Sequence, residues 1–136
     1  MDERLTMRIE DMTQVIAFRK DIRDTLSRYA FSAHEREEIL LAFTELGTNL
    51  YIHAPHGLIE IAFPTEEAPS VRIRSSNVLS EGAIGPGTDG GHPGSSRGLG
   101  IGLSSLHRLM DRAEVKVADG AFVVTCEKWL HKSSGG

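Results

Sequence analysis

Glu45, Asn49 and His53 recur at intervals of four inside the run Glu45-Leu46-Gly47-Thr48-Asn49-Leu50-Tyr51-Ile52-His53. No other feature constrains the fold of this chain as much. A spacing of four places the three side chains in one row along a helix. Leu46, Leu50, Tyr51 and Ile52 lie between them and are expected to hold the opposite side of that helix against a core. A carboxylate can accept a proton, an amide oxygen can ligate a hard cation, and an imidazole can face an anion. The same row would also suit the solvated face of an ordinary amphipathic helix. What separates the two readings is a second element, the glycine-rich run Arg97-Gly98-Leu99-Gly100-Ile101-Gly102-Leu103.

The 136 residues predict one domain over residues 1–130, large enough for a core without disulfides, followed by a flexible tail at 131–136. Hydrophobic residues at 40% and charged residues at 25% fit a soluble globular chain. A formal charge of -4 without any basic run argues against a nucleic-acid partner. Cys126 is the single cysteine, which rules out an intrachain disulfide and fits a reducing cytoplasm. No apolar run approaches a membrane span and the N-terminus lacks a signal-peptide pattern, so no membrane association is expected.

Arg4 to Glu10 alternates polar and apolar residues and predicts a first strand. Asp11 offers an N-cap to a helix carried by Met12, Val15, Ile16, Ile22, Leu26 and Tyr29 to about Ala30. Ser32 and Glu35 have the spacing of a capping box, opening a second helix that runs through Ile39, Leu40, Phe43, Leu46 and Leu50 to about Ala54. Pro55-His56-Gly57 should end it, with glycine permitting the turn. Leu58 to Phe63 and Val71 to Ile73 predict an antiparallel hairpin. Ser75 to Arg97 is rich in glycine and serine and keeps no periodicity, so a mobile lid is expected there. Glycines 98, 100 and 102 then open a helix through Leu103, Leu106, Leu109 and Met110, where free backbone N–H groups suit an anion. Val115 to Ala118 and Phe122 to Trp129 close the chain as strands. The expected architecture is α+β: a two-layer α/β sandwich with a mixed sheet covered on one face by helices.

At this point the chain resembles the anti-sigma-factor and switch serine/threonine kinases of bacteria, within the GHKL ATPase superfamily. Glu45-Leu46-x-x-Asn49 with His53 resembles that superfamily's N-box. Gly98-Leu99-Gly100-Ile101-Gly102-Leu103 resembles its second glycine box, and the following Arg108-Leu109-Met110-Asp111 resembles the helix of the switch kinases. The closing Lys128-Trp129 is similar to the end of those kinases, so the resemblance runs from about Leu5 to Leu130.

The resemblance implies a Bergerat-type ATP-binding fold with a Gly-rich ATP lid, and ATP with Mg²⁺ as cofactors. Asn49 would ligate Mg²⁺, and Glu45 would position or deprotonate the attacking group. His53, Arg97, Gly98, Leu99, Gly100, Gly102 and Leu103 would surround the phosphates. The implied function is an ATP-dependent serine/threonine protein kinase of a bacterial partner-switching system. Its substrate would be a STAS-domain antagonist protein, and its output a sigma factor or a PP2C-type phosphatase; a homodimer is also implied.

One departure stands out. The family's first glycine box opens with an aspartate that bonds the adenine amino group. Counting back from the second glycine box puts Asn77 there, whereas matching Gly85-Pro86-Gly87 to the end of the box puts Ala83 there. Neither is an aspartate. The alternative function is therefore a degenerate, non-catalytic adaptor that binds a partner protein. His34, His56, His92, His107 and His131 lack zinc-ligand spacing, Asp89 reads as solvated, and Cys126 reads as a buried structural thiol.

Overall fold

A computed structural model of the chain describes residues 3–53, 56–78, 105–118 and 121–130. The expected lid beyond Val78, Ala83, Asp89, His92, Arg97, Gly98, Leu99, Gly100, Gly102, Leu103 and the tail at 131–136 lie outside the described residues. Among the described residues, five strands and two long helices follow in the order β1 (Arg4–Ile9), α1 (Met12–Leu26), α2 (Ala33–His53), β2 (Gly57–Ala62), β3 (Ser70–Val78), β4 (Arg112–Ala118) and β5 (Ala121–Trp129). A helical turn at 105–109 precedes β4.

Both helices start as their cap residues dictate. Asp11 accepts from the backbone N–H groups of Thr13 and Gln14, and the Gln14 side chain accepts in return from Asp11 N–H at 2.9 Å. At α2 the Glu35 carboxylate accepts from Ser32 N–H at 2.8 Å, while Glu35 N–H donates to Ser32 Oγ at 3.0 Å. Helix α1 stops at Leu26, short of the expected Ala30. Arg28 and Tyr29 instead donate to carbonyls three residues back, Thr25 and Leu26, so the last turn tightens and leaves the α path.

The sheet order is β1-β2-β3-β5-β4, and each of its four pairings is antiparallel. This corrects the expected mixed sheet. Strands β3 and β4 do point the same way, but β5 inserts between them and pairs antiparallel with both. Strand β3 also extends five residues beyond the expected Ile73, because Arg74 to Val78 all find partners on β5.

One face of the sheet is apolar and covered. Ile9, Ile59, Ile61, Val71, Ile73, Val124 and Cys126 are buried there beneath Ile22, Leu26, Ile39, Leu40, Phe43, Leu46 and Leu50 of the helices. Each buried aliphatic side chain contributes about 1.5–3 kcal/mol. That stripe holds α2 in place far more firmly than the exposed Arg19–Glu37 and Arg23–Glu37 pairs at 3.9 and 3.6 Å. The outer face alternates charge across the register, with Arg72 and Arg112 each opposite Glu127, and Arg4 bonded to Glu60 at 3.0 Å.

Candidate functional site

The apolar stripe of α2 determines where its polar row points. Leu46 and Leu50 face the sheet and are buried, so Glu45 and Asn49 fall on the flank of the helix and are half-buried. Among the described residues neither side chain has a hydrogen-bond partner. His53 closes α2, and its side chain lies outside the described residues. The expectation that Tyr51 and Ile52 also pack inward is corrected: they are 43% and 61% exposed. At about 100° per residue both point well over a right angle away from Leu46.

The turn after α2 also differs from the expected one. His56, not Gly57, takes the left-handed conformation, at φ 73°. Its backbone is held there by β1: His56 N–H donates to the Ile9 carbonyl at 3.0 Å, and Arg8 donates to the His56 carbonyl at 2.9 Å. Gly57 is thereby free to pair with Ile9 as the first residue of β2.

This turn brings the end of α2 to one end of the sheet. Only residues 54–56 separate His53 from β2, and Leu58 at the start of β2 pairs with Ser76 near the end of β3. Asn77, the next residue, therefore sits at the same end as the last turns of α2. It belongs to the inner face, continuing the buried alternation of Val71, Ile73 and Ser75, and is only 5% exposed. Its Oδ1 is buried without a partner. An orphaned buried acceptor is uncommon and points to a missing donor. Asn77 is the last inner-face residue described on β3, while Ala83 lies outside the described residues. The signal was present in the sequence as period-two alternation at 71, 73, 75 and 77, but serine and asparagine hid it.

The open cavity of about 440 Å³ at the β4 edge lies elsewhere. It is lined by His107, Asp111, Arg112, Glu114 and Glu127, at the far end of the sheet from Asn77, with charges of both signs. Cys126 beneath it is buried, and burial pushes its thiol up to about 12, so it reads as structural. No group of His, Cys, Asp and Glu suited to a metal occurs among the described residues.

With the fold and the end of α2 in place, the chain can be set beside known proteins. Residues 10–128 match the histidine kinase-like ATPase domain. The chain belongs to that family. The curated serine/threonine-protein kinase RsbT of Bacillus subtilis is 28% identical to this histidine kinase-like ATPase domain, over 96% of this chain and 99% of that protein. Among solved structures, the RsbU and RsbW domains of a Mycobacterium tuberculosis protein give a TM-score of 0.68 at 14% identity, covering 97% of this chain and 34% of that one. The SiaB–SiaC complex of Pseudomonas aeruginosa gives 0.64 at 14% identity, covering 90% of this chain and 88% of the matched one. At such identities the two structures are similar in fold. No helix among the described residues is long and apolar enough to cross a membrane.

Proposed function

We propose that this chain is an ATP-dependent serine/threonine protein kinase of a bacterial partner-switching system, acting in the cytoplasm on a STAS-type antagonist of a sigma factor or phosphatase. The observation that carries the reading is the orphaned acceptor of Asn77 at the same end of the sheet as the helix of Glu45 and Asn49, whose side chains are half-buried. Near full-length similarity to RsbT supports it.

The residues present fit Mg²⁺ and ATP. Asn77 offers an acceptor to an adenine amino group, and Asn49 offers an amide oxygen to a hard cation. Bound Mg²⁺ would supply charge neutralisation to the phosphates. Glu45 orients the hydroxyl of the protein substrate and takes its proton as the oxygen bonds to the γ-phosphorus and ADP departs. Leu41 and Ile52, 45% and 61% exposed, flank Glu45 along α2 and suit a protein rather than a small substrate.

Two variants test this. Glu45→Ala should lower phosphotransfer by about 10²–10⁴-fold while Mg-ATP binding, measured by calorimetry, stays near the parent value. Asn49→Ala should instead weaken Mg-ATP binding. Transfer at the parent rate by both variants would remove the mechanism. The neutral residue at position 77 favours a second reading, a partner-binding adaptor; it predicts stable partner binding with no transfer of label by the parent chain.

A further inference from the structure

We propose that Asn77 reads the purine of the bound nucleotide without excluding guanine, so that the site accepts both ATP and GTP. This rests on the nucleotide-binding reading above and concerns which base that site admits.

Asn77 is fixed in place by its backbone. It pairs with Phe122 of β5 inside a nine-residue register, and its side chain points to the helix-covered face. Its amide orientation is not fixed. Oδ1 has no hydrogen-bond partner, so no bond to the oxygen fixes which side of the amide plane it takes. A half-turn about the Cβ–Cγ bond exchanges the two at little cost.

That freedom matters because a carboxamide carries an acceptor and a donor side by side. The pairing edge of adenine presents the 6-amino donor beside the N1 acceptor. The pairing edge of guanine presents the reverse, the O6 acceptor beside the N1–H donor. Asn77 matches adenine with Oδ1 toward the amino group, and guanine after the half-turn, with Nδ2 toward O6. A carboxylate at this position would have acceptors only and would set negative charge against O6. That repulsive element would discriminate between the purines, and an amide does not supply it.

The test is equilibrium binding to the full chain of Mg-ATP, Mg-GTP and, as a control lacking the 6-substituent, the Mg-triphosphate of purine riboside. ATP and GTP are expected to bind within about tenfold of each other, and the triphosphate of purine riboside, which has no group at position 6, more weakly than either. Asn77→Asp should retain ATP and lose GTP by about 100-fold or more. Should that variant fail to fold, the parent chain still decides. Binding of ATP with rejection of GTP by more than about 100-fold overturns the proposal and leaves the nucleotide reading standing. Equal binding of the purine riboside triphosphate overturns it too, since the group at position 6 would then go unread. Binding of neither purine overturns the nucleotide reading itself and this proposal with it. The ¹⁵N side-chain amide resonance of Asn77 gives an independent readout, and it is expected to shift with both purines.

Discussion

Tyr29 ties the start of β1 to the end of α1. Its hydroxyl donates to Glu3 Oε1 at 2.6 Å, and its ring stacks on Phe63 with centroids 5.8 Å apart. Burial and the bond to Glu3 raise its hydroxyl to about 12. The folded chain thus holds this proton more tightly than the unfolded chain does, whose tyrosines titrate near 10. The stability Tyr29 contributes is therefore complete below about pH 10 and is lost as pH rises through about 12. Tyr29→Phe should be less stable than the parent at about pH 9, and the gap should narrow across that alkaline window. Urea titrations of both proteins at several alkaline pH values would reveal a constant gap if the hydroxyl were not protected.

At the scale of elements, the close approach of α1 and α2 depends on Gly47, two residues after Glu45. A Cβ there would lie 3.0 and 3.2 Å from the two methyls of Val15. Alanine favours the helix by about 1 kcal/mol, but crowding a packed seam costs about 1–3 kcal/mol. Gly47→Ala is expected to destabilise by about 1 kcal/mol on balance. Adding Val15→Ala should cost less in this variant than in the parent, which a double-mutant cycle by urea denaturation reads directly. Additive losses would mean the two positions do not touch. The elements themselves differ in how far the sequence disclosed them. Both helix starts were legible, because caps are local: Asp11 with Gln14, and Ser32 with Glu35, sit three residues apart. The Glu45–Asn49 row was legible for the same reason. The full length of β3 was not, since Ser75, Ser76 and Asn77 disfavour a strand and are held by β5 residues nearly fifty positions on. The buried, partnerless state of Asn77 follows from that pairing and was hidden with it.

The molecule as a whole has two unlike ends. At one lie the last turns of α2 and Asn77, whose Oδ1 is buried without a partner. At the other, polar groups close on one another: Ser70 donates to Glu127 at 2.6 Å, and Asp111 accepts from Trp129 N–H at 2.8 Å. The strongest tie there is Lys128, 7% exposed on β5, bonded at 2.9 Å to Glu38 on α2, which also meets His34 at 3.2 Å. Lys128 and Glu38 are 90 residues apart, so this pair clamps the last strand to the start of the helix that carries the row. Glu38→Gln leaves a buried ammonium facing a neutral amide and should destabilise by roughly 2–3 kcal/mol. Replacing both partners, Glu38→Leu with Lys128→Met, should restore most of that loss, because no charge is then buried unpaired. Because the clamp lies at the opposite end from Asn77, Mg-ATP affinity in Glu38→Gln should stay within about twofold of the parent wherever the chain remains folded. Urea denaturation and calorimetry on the same preparations separate the two effects. A Glu38→Gln protein as stable as the parent would show that the pair is screened by solvent, and a double variant no better than the single would show that packing, not charge, holds this end closed.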